Sequence, residues 1–134
     1  MMDFEQPVTG YPRLVVCGAD DAIVFIQKAL GGTLAERFTD AEGRVVHAKL
    51  MLGAFAVSIV EEVKEWGWLS PETLGGSPVL MQLDFGNCDV VAERMEAHGS
   101  QVVVPIADRP YGKREGRLRD PFGHLWVLSQ SIVA

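Results

Sequence analysis

His47 stands in the run Val45-Val46-His47-Ala48-Lys49-Leu50, where it alternates with Val45 and Lys49 against Val46, Ala48 and Leu50. In a strand that alternation sends it to the more polar face. An imidazole there titrates near neutral pH and suits hydrogen bonding or proton transfer to a small ligand, which makes His47 a candidate general base, beside a Glu near the fourth strand. The competing reading is a partly exposed strand histidine. Trp66 and Trp68 flank Gly67; such rings are costly to expose unless they pack on the domain, a partner subunit or a flat or cationic ligand. Tyr111 and Arg114 share a Gly-containing hairpin, where a guanidinium beside a phenol can clamp a carboxylate or phosphonate. Gln82 falls in phase with Leu80 and Asp84 and can present an amide to a ligand or satisfy an interior group.

Other polar groups carry plainer readings. His98 precedes Gly99 at a helix end and His124 follows Gly123 in a turn, so both read as structural. Glu61, Glu62 and Glu65 form a charge cluster of the kind found at solvated strand ends. Cys17 and Cys88 stand singly with no C-x-x-C pair, and read as reduced, packed thiols.

The elements that must position these groups follow from periodicity and punctuation. Leu14 to Cys17 reads as a buried strand ending at Gly18. A helix follows, capped by Asp20 or Asp21, with Ala22, Phe25, Ile26, Ala29 and Leu30 on one face before Gly31-Gly32 stops it. Strands are expected over Thr33 to Thr39, Arg44 to Leu52 and Ala54 to Glu61. Trp66 to Ser77, with Gly67, Pro71, Gly75 and Gly76, reads as a connecting loop. The order then repeats: strand Val79 to Asp84, helix from about Asp89 to His98, strand Gln101 to Ile106, and strands near Arg114 to Arg119 and His124 to Gln130 around the turn Asp120-Pro121-Phe122-Gly123. Two βαβββ modules, about 12–62 and 78–131 with a connector at 63–77, each bury too little alone, so they are expected to pair into one α+β domain.

Composition bounds the function. A chain of 134 residues with 48% apolar content supports one core. The formal charge of −6, with no long run of Lys or Arg, disfavours nucleic acid and by itself favours a cationic ligand. The start Met1-Met2-Asp3-Phe4-Glu5 has no charged-then-apolar leader and no apolar run spans a bilayer, so a cytoplasmic protein with no membrane partner is expected.

The segment Tyr111-Gly112-Lys113-Arg114-Glu115-Gly116-Arg117-Leu118-Arg119-Asp120-Pro121-Phe122-Gly123-His124-Leu125-Trp126 resembles the closing signature of PhnB-like members of the vicinal-oxygen-chelate superfamily, the glyoxalase, bleomycin resistance and dioxygenase group. Leu69 to Pro78 and Val46 to Leu50 look like the same group, so the resemblance runs from Pro12 onward. It implies paired βαβββ modules whose curved mixed sheet forms a cleft, and often a homodimer. It also implies chemistry from lyases, isomerases and dioxygenases to proteins that sequester antibiotics, so fold alone leaves function open.

Catalytic relatives generally hold a divalent ion on the first and last strands of each module. Counting four residues past Gly53 and Gly123 puts the last-strand positions at Val57 and Val127. The first-strand positions fall near Tyr11 to Arg13 and near Leu80. None is a usual ligand, so no metal or other cofactor is expected. The reading is a metal-free protein that sequesters a planar or cationic small molecule through His47, Trp66, Trp68, Gln82, Tyr111 and Arg114. A glyoxalase-like enzyme acting on a small carbonyl or phosphonate is the first alternative, and a dimeric interaction module with a vestigial cleft is the second.

Overall fold

The computed structural model describes residues 5–132. Its element order is β1 (Arg13–Val16), α1 (Ala19–Leu30), β2 (Thr33–Thr39), β3 (Val45–Leu52), β4 (Phe55–Glu61), a 3-10 turn (Lys64–Trp66), α2 (Pro71–Leu74), β5 (Leu80–Asp84), α3 (Cys88–Ala97), β6 (Gln101–Asp108), β7 (Lys113–Arg119) and β8 (Leu125–Ser131). The strands form two four-stranded mixed sheets of the same plan, β1-β4-β3-β2 and β5-β8-β7-β6. In each, the module's first strand lies parallel to its last and the other pairings are antiparallel. This is the α+β architecture of paired βαβββ modules expected from the sequence.

One core lies where both sheets meet α1 and α3. Leu14, Val16, Ala48, Leu50, Val57 and Ile59 of sheet one join Met81, Leu118, Trp126 and Leu128 of sheet two in a single buried cluster with the apolar faces of both helices. Phe25 of α1 meets Phe122 of the β7–β8 turn edge to face at 6.1 Å between ring centres. The His124 imidazole is buried and its Nε2–H donates to the Val15 carbonyl at 2.8 Å, tying the second module to the first strand of the other. His124 is thus a structural histidine.

Helix α1 begins one residue before the expected cap. Gly18, with φ of 95°, holds the N-cap position, and the Glu61 carboxylate accepts the N–H groups of Gly18 and Ala19 at 3.0 and 2.9 Å. Asp20 and Asp21 fall in the first turn, where their charge still favours the helix dipole. In module two Asn87 caps α3 and the Gln130 amide oxygen accepts the Cys88 N–H at 2.7 Å. A penultimate or final residue of each module's last strand therefore closes that module's helix.

The connector is more ordered than the expected loop. Ser70 caps α2 by accepting the Thr73 N–H at 3.2 Å, Pro71 opens it and Gly75 ends it. A capping serine followed by proline outweighs the missing period in so short a helix. Among the described residues, no helix is long and apolar enough to cross a membrane.

Candidate functional site

Strand alternation gives each sheet a helix-facing side and an open side. On sheet one the open side carries Arg13 and Val15 of β1, Ser58 and Val60 of β4, and His47 and Lys49 of β3, because Leu14, Val16, Ile59, Ala48 and Leu50 all enter the core. Arg13 and Lys49 are both Cα partners of Ser58, so the three lie side by side across β1, β4 and β3.

His47 is 8% exposed and both its ring nitrogens are engaged. Nε2 lies 2.9 Å from Glu36 Oε2 and Nδ1 lies 2.9 Å from the Oγ of Ser58, which is fully buried. A neutral ring donates from Nε2 to the carboxylate and accepts the serine O–H at Nδ1. Phe38, the cross-strand partner of His47, stacks on the imidazole at 5.8 Å between ring centres with 19° between planes. Tyr11 lies on its other flank at 6.1 Å. The imidazole is held in one orientation inside an aromatic sleeve, and its basic lone pair, on Nδ1, is covered by the hydroxyl of the buried Ser58.

The connector adds two more rings. Trp66 and Trp68 meet edge to face with centres 5.0 Å apart, and the Arg13 guanidinium carbon stands 5.9 Å from the Trp68 ring. Arg44, paired with Asp40 at 2.8 Å, covers Trp66 at 5.8 Å. Lys49 Nζ stands 4.9 Å from the centre of Tyr11. Phe38 and Trp66 remain more than half exposed, at 58% and 56%, which is unusual for rings of their size.

Glu62 anchors the connector to this face. Its Oε1 accepts the Ser70 N–H and hydroxyl at 2.9 and 3.1 Å, and the Cys17 thiol donates to Oε2 at 3.6 Å. Hydrogen bonding from the Thr73 hydroxyl above all, then from the Ser70 backbone, pulls its pKa down to about 2. The base of the tryptophan turn is therefore held by a carboxylate that stays ionised well into acid.

The other residues singled out from the sequence do not converge on His47. Gln82 lies on the open side of sheet two opposite Val127, and borders a separate groove of about 510 Å³ with Phe55, Asp84 and Gly86. Tyr111 and Arg114 part company. The Tyr111 hydroxyl donates to Glu115 Oε1 at 2.9 Å, a bond that raises its pKa. Arg114 alternates with Leu118 toward the helix side, where Asp89 takes its Nε and Nη2 at 2.7 and 3.0 Å and Asp108 its Nη1 at 3.0 Å. The two carboxylates more than offset the charge of that guanidinium and hold it on the helix side, so it does not form the expected anion clamp with Tyr111.

The metal positions also need correction in module one. Val57 pairs with Leu50 inside the core, and Ser58 is the residue level with Arg13 on the open side. In module two Val127 does face the open side, level with Gln82, whereas Leu80 sits opposite Leu125. The register thus places Arg13, Ser58, Gln82 and Val127 at the four positions. An arginine, a valine and a serine already bonded to His47 do not fit a divalent ion, and no group of three or more His, Cys, Asp or Glu among the described residues could hold one. Sequence reasoning put a first-strand position near Tyr11 to Arg13 but gave it no role in ligand binding, and it missed Lys49 and Phe38 as site residues. The signal was their common parity with His47 and Ser58, legible only once β1 and β3 are known to flank β4.

A groove of about 550 Å³ runs between α2 and the β7–β8 turn, past Pro71, Gly75, Gly99, Arg119 and Pro121. Phe122 is the aromatic residue in its lining, so the ring-bearing face of sheet one is the better candidate for a planar ligand.

The model of the Glyoxalase/Bleomycin resistance protein/Dioxygenase superfamily matches residues 8–128. The uncharacterized protein Rv0887c of Mycobacterium tuberculosis is 34% identical over 124 residues, covering 90% of this chain and 73% of that protein. Among solved structures, TioX from Micromonospora sp. ML1 superposes with a TM-score of 0.70 at 24% identity, covering 93% of this chain and 100% of the other. The fosfomycin resistance protein FosX from Listeria monocytogenes superposes with a TM-score of 0.69 at 15% identity, covering 95% of each chain. At those identities the structural likenesses establish the fold alone.

Proposed function

The chain belongs to the glyoxalase, bleomycin resistance protein and dioxygenase superfamily, and from that premise we propose that it is a metal-free binding protein that takes up a planar small molecule on the open side of sheet one. The observation that carries this reading is the set of rings on that side. Tyr11 and Phe38 flank a fixed imidazole, Trp68 meets Arg13 on the same side and Trp66 meets Trp68, and all of these rings but Trp68 are exposed. Exposed aromatic rings with locked neighbours offer stacking area at little further entropic cost. His47 supports binding better than base catalysis, since Glu36 and Ser58 take both nitrogens. Its role in this reading is to keep the Phe38 ring in place and to offer a polar edge.

Calorimetric titration with bleomycin and with the neutral planar probe 2-naphthamide tests the proposal. At least one binds the wild-type protein, and the Trp66→Ala, Trp68→Ala double variant loses about tenfold or more of that affinity. Absence of heat with both probes overturns the reading. The glyoxalase-like alternative would need the Nδ1 lone pair of His47, which the hydroxyl of the buried Ser58 covers. A homodimer is part of the proposal, because the same exposed rings suit a second copy at the rim of the site; a purely monomeric chain in sedimentation velocity removes that part and leaves the ligand site intact.

A further inference from the structure

Resting on the planar-ligand reading above, we infer that the ligand carries an anionic group, a carboxylate or a phosphonate, held between Arg13 and Lys49 above Ser58. The overall charge of −6 points the other way, toward a cationic ligand. What a ligand meets at contact distance is the local charge, because screening hides charges more than about 10 Å off at ordinary salt.

The local accounting is clear. Arg13 and Lys49 flank Ser58 on the two neighbouring strands and on the same side of the sheet. Two strand spacings set their Cα atoms about 10 Å apart, within reach of one group from both long side chains. Glu36, the cross-strand partner of Lys49, and Glu62 keep their charge but turn their oxygens elsewhere, Glu36 to His47 and Glu62 to Ser70 and the Cys17 thiol, and neither pairs with Arg13 or Lys49. The ion pairs among the described residues involve Arg37, Arg44, His47, Lys113 and Arg114, and neither Arg13 nor Lys49.

Among the described residues the charged ends of both meet rings, Trp68 for Arg13 and Tyr11 for Lys49. A ring face orients a cation and strips part of its hydration without neutralising it, and leaves N–H donors for an oxygen anion. A cationic ligand would face two like charges. A planar anion stacks on the remaining ring area and places its oxygens at the guanidinium and ammonium. Where the family resemblance led one to look for metal-binding donors, the register instead sets Arg13, a fixed positive charge that needs no ion.

Calorimetry with probes sharing one ring system tests this: 2-naphthoate and 1-naphthylphosphonate as anions, 2-naphthamide as the neutral form, and 2-naphthylmethylammonium as the cation. The expected result is that both anions bind wild-type protein about tenfold tighter than the amide and the cation binds weakest. The anion-to-amide ratio falls toward one in the Arg13→Gln, Lys49→Gln double variant. It also falls in wild-type protein as salt rises from about 50 to about 500 mM. The ratio is internal, so a general loss of fold does not mimic its collapse, and the wild-type and salt measurements stand without the variant. Equal binding of anion and amide, or preference for the cation, overturns the inference while the planar site survives. Failure of all four probes overturns the planar site itself.

Discussion

The two modules share a strand order and a helix-closing device, yet their open faces have taken different courses. In module one Arg13, Ser58 and Lys49 stand level across three strands, with His47 beside them inside aromatic rings. In module two the corresponding level holds Gln82, Val127 and Arg117, and the next holds Asp84, Ser129 and Glu115. There Tyr111 folds back onto Glu115 and Arg109 Nε donates to the Glu115 carbonyl at 3.1 Å, so side chains of the hairpin satisfy one another. Lys113 is spent on Asp84 at 3.6 Å and Arg114 on Asp89 and Asp108. On its open face module one leaves Arg13 and Lys49 outside the ion pairs of the described residues and keeps exposed rings, whereas the hairpin of module two pairs Lys113 and Arg114 with acids. The same scaffold can thus divide the work, one half holding a ligand surface and the other serving as its support.

The tryptophans give the sharpest test of that division. Trp126 is fully buried in sheet two and its Nε1–H donates to Asp120 Oδ2 at 2.8 Å, while Trp66 of the connector is 56% exposed. Trp126→Ala is expected to cost about 3 to 5 kcal/mol in urea unfolding, and Trp66→Ala about 0.5 kcal/mol or less. Comparable losses would mean that the Trp66 pair is core and that the modules are not divided as described.

A smaller effect separates two matched positions facing the helices. Ala48 of β3 and Gly116 of β7 both lie opposite their module's last strand, paired with Ile59 and Leu128. The shift in β6 between Val104 and Ala107 lays Ile106 across Gly116, where an added Cβ would come within 2.8 Å of the Ile106 nitrogen. Gly116→Ala should therefore destabilise by about 1 to 3 kcal/mol through overpacking. The converse Ala48→Gly should cost about 0.5 to 1 kcal/mol through chain entropy. Thermal melts of the pair would check the order.

His124→Ala removes the bond to the Val15 carbonyl that joins the modules, for about 1 kcal/mol. Hydrogen exchange should then rise along β1 more than along β6, since the lost partner sits on β1. The Glu62 carboxyl is depressed from 4.5 to about 2 in the folded chain, so its contribution is complete above the unfolded value and is lost as pH falls through that window. Glu62→Gln should lower stability near pH 7, where that contribution is complete, and flatten its fall between pH 4.5 and 2. An unchanged acid profile would show that Glu62 does not anchor the connector.

Much of this was legible from residues alone, and the failures are instructive. The βαβββ order followed from apolar periodicity and from Gly18, Gly31, Gly53, Gly99 and Gly123 as punctuation. His47 was found because strand alternation is a local property. Val57 was misplaced because the count from Gly53 assumed the offset of the second module. The offset is five in module one, from Gly53 to Ser58, and four in module two, from Gly123 to Val127. A one-residue difference in the turn reverses every side chain of the strand that follows. Arg114 misled because a guanidinium in sequence carries no sign of the acids that will take it, and Asp89 lies on another element.

By itself the sequence determined the elements, their repeat and the shared core, because helix and strand periods are set within a few residues and apolar faces have nowhere else to go. Only the tertiary structure decided which charges are spent. Arg13 and Lys49 lie far apart in the chain and meet only because β4 runs between β1 and β3. The nearby carboxylates of Glu36 and Glu62 were drawn to His47 and Ser70 by contacts that no local pattern encodes.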